Sequence, residues 1–463
     1  MDATAHLAEF AHQLALKDVP CRTIDAAVHL ALDTVGSALP AWDAPGVRQL
    51  RGLMGDWSRG TSHVWVTGER VSPAAATLIN SAMAHTLEYD DLHCELPMHS
   101  GAVVVPVALA VAETDPTITG AEVTAAIIAG TEILCRLARA NLSYRGTKGF
   151  RGFNPSSIVA GFAAAAVAGR LMRLDAETIA RAMGLSYAQA SGNQQCIADG
   201  GLVKRMQPGM VAEAGVRAAW LARAGVTGAI DAIEGANGYF KVYEQGEYDP
   251  AALTDGLGDG FEIDRVGFKR YPVCGMAQPA IDALRELQSE HGFHRDDIKS
   301  IRICGSKFVV DMVGRPYRPG NNPEVDAQFN LPYCFATVLL TGNVRLVDLQ
   351  PENTLSAERR ALANSIPVVL DPALKGKWSA RVEIELRDGR NLSRGRDKAA
   401  GQSDRPLKTE ELLRKFSDCA AAAEPKLGRQ SAVRVGRLLQ ELPRLPALAP
   451  LCETLANDAL AVN

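Results

Sequence analysis

Between residues 85 and 99 the chain reads HTLEYDDLHCELPMH, bringing His85, Glu88, Asp90, Asp91, His93, Glu95 and His99 into fifteen positions. The other histidines lie at 6, 12, 29, 63, 291 and 294, so no other segment offers proton donors and acceptors at this density. Such a cluster handles protons or anions. His99-Ser100-Gly101 then runs straight into AVVVPVALAVAET. A helix opening there turns its first backbone N–H groups back on the cluster, and a helix end of this kind attracts a carboxylate or phosphate. Taken singly, Asp90 and Asp91 read as helix caps and His85 as a core histidine. Taken together, this many ionisable groups must be paired or used.

A second stretch, residues 192–225, joins Gly200 and Gly201 to Lys204 and Arg205, and Pro208 then opens a helix that stops at Gly225. Glycines, a cation and a helix start make an anion cradle, although the GxxxxGK[ST] spacing of a nucleotide phosphate loop is absent. Further along, Lys269-Arg270-Tyr271-Pro272-Val273-Cys274 is a basic approach to a helix, and Tyr333 sits on a helix beside Pro332 and Cys334. No GxSxG elbow supports a serine nucleophile. With no GxGxxG ahead of a helix, no nicotinamide or flavin is expected. His93, Glu95 and His99 have a spacing that permits metal ligation, but Pro97 interrupts the period and no metal is expected.

The elements that must position these groups are mostly helices. Residues 1–40 hold two amphipathic patterns separated by Pro20, and PAAATLINSAMAHTLEYDD, which follows Ser72, delivers the acidic cluster at its C-terminal end. Thr119-Gly120-Ala121-Glu122 suits a helix start. Asn154 and Pro155 read as N-cap and first helical residue. The small residues Ala160, Gly161, Ala163 to Ala166 and Gly169 allow neighbouring helices to approach closely. After Phe240 short β-like runs appear, EIDRVGFKRYP, IKSIRICGS, KFVVDMVG and SARVEIELRDG, interleaved with helical segments. The expected fold is mainly α: a helical domain over 1–261, a smaller α+β lid domain over 262–400, and C-terminal helices over 401–463 that return to the first domain.

Composition narrows the function classes. The 463 residues are 47% hydrophobic and 22% charged, with a formal net charge of -4 and no basic tract, so nucleic acid has no electrostatic footprint to bind. The longest apolar runs fall short of a membrane span, and MDATAHLAEF does not read as a signal peptide. Nine cysteines are scattered without a CxxC pair, the usage of a reduced compartment, and a cytoplasmic location is expected.

The combination of INSAMAHTLEYDDLH with HSGAVVVPVALAVAE, GFNPSSIVAGFAAAA, KRMQPGMVAEAGVRAAWLARAGVTG, FKRYPVCGMAQPAIDAL and DAQFNLPYCFA resembles the MmgE/PrpD family over nearly the whole length. That family includes dehydratases, decarboxylases and an epimerase. The resemblance implies a helical domain built from both chain ends, an α+β lid, a homodimer, no metal or organic cofactor, and a site between the domains for di- or tricarboxylates. Carried over by motif, the site falls on Glu88, His99, Lys204, Lys269 and Tyr333. Leu92, Asn154 and Gln207 depart from the family pattern, where Thr, His and His are common.

The expected activity is that of a lyase acting by proton transfer at a carbon next to a carboxylate. A cofactor-free epimerase or isomerase is the alternative, and a carboxylate-binding dimer without catalysis is a third possibility. His99, Lys204, Tyr333 and Asp91 are the expected catalytic residues: His99 as acid/base, Asp91 orienting it, Tyr333 serving the departing group. Glu88, His93, Asn154, Gln207, Lys269 and Cys274 are the expected substrate contacts.

Overall fold

The computed structural model describes residues 2–143, 152–402 and 405–457. Two hydrophobic cores organise it. One gathers side chains from Ala3 to Ile263 together with Leu412 to Leu455, and the other gathers Tyr271 to Leu386. The C-terminal helices Thr409–Leu427 and Arg429–Gln440 therefore pack with the N-terminal part of the chain.

In the first core, the helix Gly101–Ala112 is apolar all round, a pattern that stabilises a helix only when every face is covered, and the helix Pro73–Thr86 is buried from Ala75 to Thr86. Gly101–Ala112 is buried at every residue. Pro73–Thr86 opens on Ser72, whose side chain accepts the Ala75 N–H, with Pro73 in the first turn where its missing N–H costs nothing. The Thr119–Glu122 capping box forms as expected.

Small residues set the helix spacing. A Cβ on Gly215, in the helix Gln207–Arg223, would lie 2.6 Å from the Ala164 side chain of the helix Ala160–Leu171. Alanine is already too large there.

Two sequence expectations change. Asn154 does stand before a helix, but only the single turn Pro155–Ile158, and its side chain makes no cap hydrogen bond; a separate helix starts at Ala160. KFVVDMV is a helix, Lys307–Val313, because Ser306 caps it and Val309 and Val313, four apart, share its buried face.

The second core backs a four-stranded sheet in the order Val368–Leu370, Ile298–Gly305, Ala380–Leu386, Asn391–Arg396, with only the first pair parallel. Ala380–Leu386 alternates buried and half-buried residues along its length, the signature of one covered face. The helix Gln278–His291 packs on this sheet and ends at Gly292 in the left-handed conformation.

A short antiparallel ladder joins the acidic loop to the chain leading into the second core: Leu92 pairs with Gly267 and His93 with Val266. This register brings Lys269, two residues on, beside the carboxylates of the first core.

Candidate active site

His85 occupies the last turn of the helix Pro73–Thr86, and the chain then breaks at Glu88, which adopts φ 51°. A non-glycine residue in this left-handed region costs about 1 kcal/mol and persists only when its surroundings hold it. The neighbouring Tyr89 supplies that hold. Its carbonyl accepts hydrogen bonds from Lys415 Nζ and from Ser37 Oγ (3.2 Å), its hydroxyl donates to the Arg270 carbonyl at 3.2 Å, and Lys415 Nζ lies 4.0 Å from its ring centroid. Lys415 also donates to Asp33 at 2.6 Å, so a C-terminal helix props the turn from behind.

Asp90, fully buried, is the hub. One carboxylate oxygen accepts from His85 Nδ1 at 2.6 Å and lies 3.4 Å from His99 Nδ1; the other is 3.3 Å from Lys269 Nζ. Burial alone would raise its pKa, but Lys269, His99 and His85 together hold it well below the usual carboxylate range. Lys269 also reaches Glu88 at 3.2 Å, and the other Glu88 oxygen contacts Lys204. Lys204 Nζ lies 5.2 Å from the Phe329 ring centroid, and burial together with Lys269 depresses its pKa well below the usual lysine value.

The imidazoles are set up as neutral bases. His99 Nδ1 donates to the Asp91 carbonyl at 2.7 Å; a carbonyl only accepts, so Nδ1 carries the proton and Nε2 keeps its lone pair. His85, with Nδ1 on the Asp90 carboxylate, has the same tautomer. Burial lowers the pKa of His85 to about 4 and that of His99 to about 3; Asp90 opposes the shift in both, while Lys204 adds to it at His85 and Lys269 adds to it at both. The two rings stand edge to face, 5.0 Å between centroids.

A cavity opens over these groups at the junction of the two cores. His85, Glu88, His99, Asn154, Ser156 and Lys204 line its polar end, and Leu92, Ile197, Met276, Phe308, Met312, Phe329 and Trp378 much of the rest. Ser156 Oγ accepts the His99 backbone N–H at 3.1 Å, which fixes the loop against the turn Pro155–Ile158.

Of the residues expected from sequence, His99, Lys204, Glu88, Asn154 and Cys274 line this cavity. Burial raises the Cys274 thiol, with the two lysines opposing. Five expected residues lie elsewhere. Lys269 sits beneath the cavity, holding Glu88 and Asp90. The Asp91 carboxylate accepts from the Ser100 and Gly101 N–H groups and the Ser100 hydroxyl, so it fills the helix end expected to take substrate; only its backbone carbonyl orients His99.

His93 donates through Nε2 to Glu262 and accepts the Glu95 and Leu96 N–H groups at Nδ1, a clamp on the loop. Gln207 ties down Asn193 and Cys196. Tyr333 is buried in the second core, its hydroxyl donating to the Asp348 carbonyl. Its position on an apolar helix face directs it to the core, away from the cavity. The sequence expectation omitted His85 and Asp90, whose signal was present: a histidine in the last helical turn and a carboxylate five residues on, across the helix end.

Three potential metal ligands converge among the described residues, His85, Asp90 and His99, with ligand atoms within 4.8 Å of one another. The lysine already on Asp90 repels a further cation there. His93, Glu95 and His99 do not form a set, since Glu262 holds His93 and Arg139 holds Glu95.

Residues 5–251 match the MmgE/PrpD N-terminal domain and residues 271–437 the MmgE/PrpD C-terminal domain. The chain belongs to the MmgE/PrpD family. It is 26% identical over 476 residues to a cis-aconitate decarboxylase of Aspergillus terreus, covering 98% of this chain and 95% of the relative. It is 26% identical over 444 residues to the cis-aconitate decarboxylase-like protein oryM of Aspergillus oryzae, covering 91% of each. To the human cis-aconitate decarboxylase it is 23% identical over 416 residues, covering 87% and 84%. This MmgE/PrpD protein is an enzyme of lyase type. Among its described residues no helix is long and apolar enough to cross a membrane, and none of its nine cysteines is in a disulfide, all but Cys21 being buried.

Proposed function

We propose that the cavity binds a small carboxylic acid bearing a second carboxylate and catalyses its decarboxylation without a cofactor. The observation that carries this reading is the neutral His99 ring, with Nδ1 anchored on a carbonyl and Nε2 unprotonated, in a cavity whose wall also holds Lys204. The decarboxylase names of the relatives support the same reading.

Before substrate arrives, burial keeps His99 neutral. An arriving carboxylate supplies the negative charge that raises the imidazole pKa, so anion and proton bind together. Lys204 shifts from Glu88 toward the substrate and stabilises charge on the acid. The C–C bond to the departing carboxylate breaks and carbon dioxide leaves. The electron pair spreads into the remaining acid, and the imidazolium proton closes the carbon: one carboxylate and one proton in, one C–H and one carbon dioxide out. Loss of water instead would use the same groups, with the imidazole removing a proton next to a carboxylate.

Two neutral imidazoles side by side also suit epimerisation, in which a proton leaves and returns with no other bond broken. Incubating cis-aconitate, citrate, 2-methylcitrate and amino-dicarboxylates in deuterated water, with products read by NMR, separates these outcomes. Carbon dioxide release with one deuterium in the product is expected; deuterium exchange without net cleavage overturns the lyase chemistry in favour of the epimerase. The homodimer implied by the family resemblance and a reducing, cytoplasmic location belong to the same proposal, and analytical ultracentrifugation tests the first.

A further inference from the structure

The cavity is unevenly built. Its charged groups cluster at the end formed by the helical core, while Ile197, Met276, Phe308, Met312, Phe329 and Trp378 form an apolar wall, five of them from the chain segment of the second core. Trp378 and Phe329 are each 7% exposed, and Ile197, Met276, Phe308 and Met312 are half-buried around them. Among the described lining residues Lys204 is the one lysine or arginine, and it already contacts Glu88. Lys377, with Nζ 4.7 Å from the Phe308 ring, does not line the cavity.

An acid with three carboxylates brings three charges to a cavity whose described lining holds one shared cation. Each carboxylate without a partner is costly to bury, and the wall's side chains offer no cation and one N–H donor, the buried and unpartnered Trp378 Nε1. A hydrocarbon substituent meets that wall at a gain proportional to the area it covers.

We infer that the substrate is an acid whose reacting carboxylates sit at the His99–Lys204 end and whose other end is an alkyl or aryl substituent lodged against the Met276–Phe308–Met312–Trp378 wall. The inference rests on the carboxylic-acid reading above and narrows it. Binding contributed by the substituent, remote from the reacting carbon, holds the acid in register with the imidazole.

The test is a series of unsaturated dicarboxylates carrying methyl, ethyl, butyl and hexyl groups, alongside cis-aconitate and citrate, measured for turnover by the purified enzyme and for binding by calorimetry. Affinity is expected to rise about four-fold per methylene while the chain lies on the wall, and kcat/KM to rise with it. In Met312→Lys the ratio of extended to unextended acid should fall at least ten-fold. Affinity that is flat or falls with chain length, or a preference for the unsubstituted tricarboxylates, overturns the inference. Chain-length-dependent binding with no carbon dioxide or water lost and no proton exchanged supports it while removing the lyase chemistry, so the two failures are distinguishable.

Discussion

The Asp90 carboxylate accepts the Nδ1 proton of His85 at 2.6 Å, and neither side chain is more than 2% exposed. Because the same oxygen lies 3.4 Å from His99 Nδ1, one buried carboxylate fixes the tautomer of His85 and biases that of His99, leaving Nε2 of each ring as the base. Lys269 holds that carboxylate ionised from below. The unit is a pair of neutral bases over an anion and a cation.

Asp90→Asn removes the charge and keeps the shape. We expect kcat to fall ~10²-fold, since an acid/base positioned in the wrong tautomer loses most of its contribution. Steady-state kinetics alongside circular dichroism checks this; native turnover in the folded variant would show that the Asp90 charge is dispensable.

Neutral imidazoles also predict a pH response. The folded-state pKa of His85, about 4, lies below its ordinary value of 6.5. As pH falls through that window the unfolded chain takes up a proton that the folded chain refuses, so His85 lowers stability between pH 6.5 and 4 and its effect levels off below. Asp33, raised by burial to about 6, acts in the opposite direction from pH 3.8 to 6. Comparing His85→Gln with wild type cancels that background: the variant should lose less stability on acidification. Nitrogen-15 NMR of labelled histidine should show both His85 and His99 as unchanging Nδ1–H tautomers from pH 8 to 5; titration of either ring within that range contradicts the assignment.

Tyr333→Phe removes a hydroxyl that donates to the Asp348 carbonyl inside the second core. Because Tyr333 does not line the cavity, turnover should stay within about three-fold of wild type, with a stability loss of about 1 kcal/mol for the missing hydrogen bond. A large drop in kcat without unfolding would return Tyr333 to the chemistry.

Lys415 acts on the site only through the Glu88–Asp90 turn. Lys415→Met leaves Asp33 buried without its partner, a defect of roughly 3–5 kcal/mol, and frees the strained Glu88 backbone. Thermal unfolding should show the loss of stability, and kcat should fall about ten-fold with KM little changed. Adding Asp33→Asn should restore stability but not kcat. Recovery of both would make the lysine purely structural.

Much of this arrangement is legible in the sequence because local rules decide it. The capping box at Thr119 and the helix that follows Ser72 both arise from patterns within a few residues. The acidic loop announces itself by density alone. What the sequence conceals depends on contacts between distant segments. Asp90 and Asp91 are adjacent and chemically identical, yet one faces His85 and the other accepts the first N–H groups of the helix Gly101–Ala112, where Gly101 sits close against Leu30 and Thr34. Lys269 reaches the carboxylates only through the Leu92–Gly267 pairing, across more than 170 residues. Tyr333 and Gln207 illustrate the converse: motif position marked them, and packing assigned them to holding the scaffold.

The central claim is that His99 moves the proton. The most direct measurement is deuterium incorporation at the carbon next to the carboxylate, followed by NMR in deuterated water for wild type and His99→Ala, with folding verified by circular dichroism. Incorporation by wild type and a loss of at least ~10²-fold in the variant are expected. Equal incorporation by a folded His99→Ala enzyme would contradict it.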